Sequence, residues 1–147
     1  MKSAEGVIGR VFVIRLEDGD IVPNCIEEFA ADHGVEVGQV ILVGGIGGGD
    51  VVVGPRESNL MPPEPIRLPI DGAHEVAAVG VLAPGPDGRP ALHIHGALGR
   101  TGKTTTGCFR HGVSTWMTGE CLLFEIKGAA ARRLKDEASG FDLLQPE

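Results

Sequence analysis

The sequence has few cysteines, and their spacing does not suit cross-linking or a cysteine-only metal site. Three are present, Cys25, Cys108 and Cys121, and no two of them form a Cys-x-x-Cys pair. An odd number without such a pair argues against both a disulfide framework and a zinc knuckle made of cysteine alone. We therefore expect most of them to be thiols of the core.

The sequence also lacks an uninterrupted apolar run of about 18 residues, the length that crosses a bilayer. Its N-terminal stretch MKSAEGVIGR is too short and too polar for a signal peptide, so we expect a cytoplasmic protein without membrane association. Basic residues are fewer than acidic ones: the sequence has 13 Lys and Arg and 20 Asp and Glu, which gives a formal net charge of −7. Such a charge repels a phosphate backbone and therefore disfavours DNA binding.

What the sequence does contain is one convincing helix among many strand-like segments. Residues 10–16 (RVFVIRL) predict a first strand that ends at a Glu-Asp-Gly turn. The helix is predicted to begin at Asp20 as its N-cap, to hold Pro23 in its first turn and to close at Gly34. The apolar residues of the helix recur at spacings of three and four and should face a sheet. They are Val22, Cys25, Ile26, Phe29 and Ala30.

The rest of the chain predicts strands at residues 39–43, 51–53, 75–82, 91–98, 104–108 and 120–126. One helix and a series of strands predict the α+β class, a mostly antiparallel sheet with the helix on one face. Residues 55–69 are rich in proline and predict a long irregular loop. No repeat or linker divides the chain, so we expect a single domain over residues 1–147, with its core at about 10–126 and a C-terminal extension at 127–147.

Two glycine-rich stretches invite a nucleotide-binding interpretation and fail it. Residues 44–49 (GGIGGG) place Asp50 where the last glycine of a dinucleotide fingerprint belongs, and a strand follows them instead of a helix. A bend or bulge between strands explains these glycines more simply. Residues 99–103 (GRTGK) have the wrong glycine spacing for a phosphate loop and predict the polar turn of a hairpin.

The strongest candidates for chemistry are His93 and His95. They alternate along a predicted strand, so both side chains leave the same face, about 7 Å apart along it. Neutral imidazoles at this spacing suit zinc or another borderline divalent ion, which needs a third protein ligand and in a reactive site leaves one position open.

The facing strand of the hairpin offers Cys108 and His111 as the third ligand, and the strand register decides between them. If His95 pairs with Phe109, His111 lies on the face of the two histidines. If His95 pairs with Cys108, the slip of one residue turns His111 to the other face. The residues alone leave both registers open.

The order of these segments resembles the PPC (plants and prokaryotes conserved) family. The resemblance covers about residues 10–126 and rests on FAADHGV, GQVILVGGIGGGDVVVG, LHIHGALGR, TTTGC and GECLLFEI. It implies an α/β fold of about seven strands with one main helix, assembled as a homotrimer. In some prokaryotic members it implies a metal at the histidines.

The sequence departs from the family at the metal motif. The family's Gly-Gly-His stands here as Gly107-Cys108-Phe109, so the family's third ligand is absent. His111 projects from the same side of an extended strand as Phe109. We therefore predict a divalent metal, with zinc favoured, at His93, His95 and His111, and keep Cys108 as the alternative third ligand.

Other residues near this strand pair have weaker predictions. Arg110 and Glu120 could bind an anion or orient a ligand, and Glu75 and Glu120 are candidate general bases, but no spacing singles out a catalytic residue. We predict a homotrimeric metal-binding domain with a histidine site for a small ligand. The alternative is a DNA-associated regulator, because plant members of the family join this domain to AT-hooks. The nearest string here, DGRP at residues 87–90, has an acid in place of the first arginine of a hook.

Overall fold

The computed structural model describes residues 1–110 and 112–147. Within them the chain forms eleven strands and one helix. Their order is β1 (Val7–Glu17), β2 (Ile21–Val22), α1 (Asn24–Asp32), β3 (Gly38–Gly48), β4 (Asp50–Pro55), β5 (Pro65–Pro69), β6 (His74–Pro84), β7 (Pro90–Arg100), β8 (Lys103–Phe109), β9 (Val113–Lys127), β10 (Ala131–Lys135) and β11 (Asp142–Pro146).

Nine of these strands form one antiparallel sheet in the order β1-β9-β3-β6-β7-β8-β4-β5, with the short β2 paired to β9. β10 and β11 form a separate two-stranded antiparallel hairpin, and β10 contacts β6. The predicted α+β class, a mostly antiparallel sheet with one main helix, is confirmed. The strands are more numerous than the seven expected, because several of them are short and carry too few residues to show an alternating pattern.

One prediction about the loops is wrong. Residues 55–69 were expected to be an irregular loop, but Pro65–Pro69 form β5, which pairs with β4 at the end of the sheet. Proline is tolerated in a strand at the edge of a sheet, because the missing N–H has no second neighbour to bond. The proline content of this segment therefore marks an edge strand and not the absence of one.

Helix α1 lies against the main sheet and buries Ile26 and Ala30 completely. The prediction that Asp20 caps it is wrong, because Pro23 occupies the N-cap position and no side chain bonds there. Asp20 instead accepts a hydrogen bond from the Glu17 backbone N–H at 2.8 Å and closes the preceding turn. Gly34 has a φ of +62° just after the helix, as predicted for the residue that closes it. No helix in the described residues is long and apolar enough to span a membrane.

The alternating strands β3, β6, β7 and β9 bury one face of the sheet, and α1 packs against β7 on that face. The core comprises these residues on the sheet and helix: Leu16, Val22, Ile26, Ala30, Val35, Val40, Leu42, Ile46, Val51, Val76, Ala78, Leu82, Leu92, Ile94, Leu98, Phe109, Val113, Cys121 and Leu123. Alternation along a strand sends every second side chain to the opposite face. We call that second side of the sheet the outer face.

The glycines at 44–49 lie where the pairing of β3 with β9 is irregular, in agreement with the predicted bend or bulge. The pairing of these strands shifts register between Gly44 and Gly45 and again between Ile46 and Gly48. A Cβ added at Gly45 would lie 2.4 Å from the carbonyl oxygen of Trp116, which leaves room for hydrogen alone. These glycines therefore belong to a bulged pair of strands.

Candidate metal centre

The two histidines of the predicted site lie side by side on the outer face of β7. Across the sheet His93 pairs with Val81 of β6, and His95 pairs with Val79 of the same strand. The intervening Ile94 is fully buried in the core. Both imidazoles are exposed, so an ion from solution can reach them.

The turn between β7 and β8 decides which residue faces His95. Thr101 and Gly102 form the turn with φ values of 50° and 76°, and Arg100 pairs with Lys103 on either side of them. Two positive φ values are the signature of a two-residue hairpin turn that matches the twist of the strands. Counting back from this turn pairs His95 with Cys108.

The register that pairs His95 with Phe109 is therefore wrong. Phe109 points to the opposite side, where it is only 3% exposed and packs in the core. Burial of a phenyl ring favours this register, because a slip of one residue would move the ring into water. The predicted ligand His111 lies outside the described residues.

Three donor side chains converge at this point of the hairpin: His93, His95 and Cys108, whose ligand atoms all lie within 4.8 Å of one another. The Nε2 atoms of His93 and His95 are 3.0 Å apart, and their rings meet edge to face with centroids 4.9 Å apart. Tetrahedral zinc with bonds of 2.0–2.3 Å holds its ligand atoms about 3.3–3.7 Å apart. The donor set therefore fits one such ion with small adjustments of the side chains.

The charge of the surroundings also favours the metal-binding form of the imidazole. Burial lowers the pKa of His93 below 6.5, and the nearby His95, Arg133 and Arg110 lower it further. Burial has the opposite effect on the thiol and raises the pKa of Cys108 above 9.0, although Arg110 and Arg133 partly offset this. His93 thus presents a neutral imidazole at neutral pH, whereas the Cys108 thiol must lose a proton to bind an ion.

Comparison with known proteins identifies the family of the chain. The family model of the Plants and Prokaryotes Conserved (PCC) domain matches residues 3–127. The chain belongs to this family. The resemblance to the PPC family, as the domain is also abbreviated, is thereby confirmed. No curated protein matches this PPC domain significantly.

Solved structures share the fold of this PPC domain along almost the whole chain. A metal-containing protein of Archaeoglobus fulgidus has a TM-score of 0.85 and 24% identity, with 99% of each chain covered. A PPC protein of Pyrococcus horikoshii has a TM-score of 0.84 and 22% identity, with 99% of this chain and 97% of that chain covered. A protein of Ralstonia eutropha JMP134, named as a candidate DNA-binding protein, has a TM-score of 0.68 and 19% identity, with 90% and 89% covered.

An arginine that the sequence did not single out as a site residue lies beside the candidate metal cluster of this PPC domain. Arg133 of β10 is 7% exposed, and its Nη2 atom donates a hydrogen bond of 2.8 Å to the carbonyl of Val81, the residue that pairs with His93. Its position depends on how the C-terminal hairpin folds back onto β6. One of three basic residues in the five-residue strand ARRLK gives no signal of such a contact in the sequence.

The carboxylates considered from the sequence lie elsewhere in the PPC domain. Glu120 is on β9, where it pairs with Arg15 of β1 and Val43 of β3, and two strands separate β9 from β7. Glu75 is on β6 but six residues before the residue paired with His93, which is about 20 Å along an extended strand. Of the two residues predicted to bind an anion or orient a ligand, Arg110 is close enough to lower the pKa of His93, whereas Glu120 lies on a strand separated from β7 by two others.

Proposed function

We propose that this PPC domain binds a divalent metal ion, with zinc favoured, through His93, His95 and Cys108, and offers the remaining position to a small ligand. The observation that supports it is the convergence of three donor atoms within 4.8 Å on one hairpin. Two imidazoles and one thiolate are ligands that zinc prefers, and three protein ligands leave a fourth position for water or another molecule.

Cys108 is proposed as the third ligand because it pairs directly with His95. His111, which the sequence predicted, remains the alternative for that place. When bound, the ion would polarise a ligand or a water molecule. The residues of the chain would hold the ion and neutralise it in part through the thiolate.

Metal analysis of purified variants tests the site. We expect zinc in the wild type after reconstitution, and its loss in His93→Ala, His95→Ala and Cys108→Ser. Cys25→Ser is the matched control, because Cys25 is a free thiol on α1 and lies outside the cluster. Retention of metal in Cys108→Ser together with its loss in His111→Ala would restore the sequence prediction. A wild type that takes up no zinc would refute the metal site altogether.

The homotrimer is proposed from the family resemblance and from the apolar character of the outer face. Val13, Ile41, Val79 and Val81 lie on this face and are exposed by 83%, 36%, 54% and 40%. A contiguous apolar patch on a sheet is typical of a surface that another protein covers. Light scattering should give three times the chain mass of 15.3 kDa. A mass of one chain at micromolar concentration would contradict assembly.

DNA binding is the second candidate, because two solved structures with this fold, including that of Ralstonia eutropha, are named as candidate DNA-binding proteins. The net charge of −7 opposes it. Titration of random duplex DNA at physiological salt distinguishes the two candidates, and sub-micromolar affinity would favour the regulator.

The three free cysteines suit a reducing compartment, so we place the protein in the cytoplasm.

A further inference from the structure

The guanidinium of Arg133 is a buried cation without an acidic partner. The residue is only 7% exposed, and none of the ion pairs among the described residues includes it. Glu27 and Asp142 are close enough to favour its charge, but neither forms a salt bridge with it, and burial lowers its pKa in spite of them. A buried charge is costly unless a counter-charge compensates it.

The hydrogen bonds of Arg133 leave part of its guanidinium available. Its Nη2 donates to the carbonyl oxygen of Val81 at 2.8 Å, and its Nε donates to that of Ala91 at 3.4 Å. Both acceptors are neutral, and they use two of the five N–H groups of an arginine. The three N–H groups that remain include donors on both terminal nitrogens, the arrangement that binds two oxygens of a carboxylate or phosphate.

The same hydrogen bonds place this guanidinium beside the metal-binding cluster. Val81 is the direct cross-strand partner of His93, and Ala91 precedes His93 by two residues on β7. Adjacent strands are about 4.8 Å apart and alternate residues about 7 Å apart, so the arginine is anchored within about one residue pair of the histidine. Arg110, which follows β8, adds a second positive charge at this site.

We propose that Arg133 is an anion-binding residue that selects ligands carrying a carboxylate or phosphate group, one end of which occupies the open metal position. This inference rests on the metal site proposed above and adds the class of ligand. A metal ion and a guanidinium on one surface bind a small oxyanion from two sides, and each compensates its negative charge. The ligand in turn supplies a directly bonded acidic partner, which Arg133 lacks among the residues that the structure describes.

Anion titration of the metal-loaded protein tests the proposal. The protein is loaded with Co²⁺, and its visible absorption is followed while inorganic phosphate or acetate is added at constant ionic strength. Arg133→Gln should raise the dissociation constant of the bound anion by about tenfold or more, since charge-assisted hydrogen bonds are lost. Arg132→Gln is the matched control, because Arg132 is the neighbouring residue, is exposed and pairs with Glu147 at 2.9 Å. Comparison of the phosphate and acetate titrations shows whether a phosphate or a carboxylate group is preferred.

Metal content measured on the same samples separates this inference from the metal site. Arg133→Gln that keeps its metal but binds the anion as tightly as the wild type would overturn the role of Arg133 and leave the metal site standing. The same holds if the metal-loaded wild type binds neither anion. Circular dichroism monitors folding, and if Arg133→Gln does not fold, Arg133→Lys carries the test. Lysine keeps the charge but loses the two-oxygen geometry, so affinity should again fall.

Discussion

His95 and Cys108 are direct cross-strand partners on β7 and β8. This pairing sets an imidazole and a thiol on one face of a hairpin whose two-residue turn fixes the register. The alternation that brings these two side chains together also buries Phe109 in the core. The donor set of the proposed metal site is therefore tied to the packing of the hairpin, and a change in register would disrupt both.

The affinity for zinc should rise with pH through the neutral range. The pKa of Cys108 is raised above 9.0, so each ion must displace one thiol proton, and affinity should increase about tenfold per pH unit between about pH 7 and 8. The pKa of His93 is lowered below 6.5, so protonation of this imidazole should make the affinity for zinc more dependent on pH only in more acidic solution. Competition with a chromophoric chelator measures the slope. In Cys108→Ser any residual binding should lose this dependence, and a flat profile in the wild type would contradict a thiolate ligand.

Replacing Glu125 should weaken the fold and change its acid sensitivity. The carboxylate accepts hydrogen bonds from the Arg10 side chain at 2.7 and 2.8 Å and from the Arg10 backbone N–H at 2.9 Å, and these hold its pKa at about 2. The value in the folded state is below the ordinary 4.5, so this contribution to stability is present above pH 4.5 and is lost as pH falls toward 2.

Glu125→Gln should therefore lower the unfolding temperature at pH 7. As the pH drops from about 4.5 to 2, the unfolding temperature of this variant should fall less than that of the wild type. Glu17→Gln is the matched control, because its ion pair with Arg15 is exposed on both sides and contributes little. Thermal unfolding at a series of pH values measures both variants. Equal behaviour of the two would show that the Arg10–Glu125 pair is not a stabilising contact between β1 and β9.

A methyl group added at Gly96 should strain the hairpin that carries the proposed metal site. A Cβ at this position would lie 2.5 Å from Cζ of Phe109, which is buried and cannot move without disturbing the core. We expect Gly96→Ala to cost about 1–3 kcal/mol of unfolding free energy. Gly99→Ala on the same strand is the control, because its nearest neighbour would be 3.9 Å away and its cost should be about 0.5 kcal/mol or less. Urea unfolding that gives equal values for the two would contradict this packing.

A charge on the outer face should prevent assembly without unfolding the chain. One row across the sheet runs through Val13, Leu122, Ile41, Val79 and His95. Ile41→Glu places a carboxylate in the middle of that row, where burial between chains would be costly. We expect its mass by light scattering to fall to 15.3 kDa with an unchanged circular dichroism spectrum.

Leu60→Glu is the control for this face, because Leu60 is 53% exposed and lies outside the strands of the sheet. It should assemble like the wild type. If Ile41→Glu also assembles normally, the outer face is not the interface.

The sequence predicted the long strands well, because a half-buried strand must alternate. Residues 75–82 and 91–98 were assigned from that pattern and lie within β6 and β7. β5 was missed because its prolines suppress the signal, although an edge strand tolerates them. The capping error at Asp20 has a similar cause, because turns and helix N-termini favour the same side chains.

The candidate site was predictable in part. The spacing of His93 and His95 placed both imidazoles on one face, but the choice of a partner across the hairpin depended on a turn whose length the prediction left open. The Thr101-Gly102 turn was the signal that favours Cys108. Arg133 could not be placed, because its position depends on contacts between segments about forty to fifty residues apart.

The C-terminal hairpin of β10 and β11 lies beyond residues 3–127, which carry the family resemblance, and it forms a small sheet of its own. The proposed ion ligands and the buried Arg133 therefore belong to two sheets whose strands do not pair with each other. The segment after residue 127 holds Arg133, whereas His93, His95 and Cys108 lie before it, so the two proposed roles are carried by separate parts of the chain.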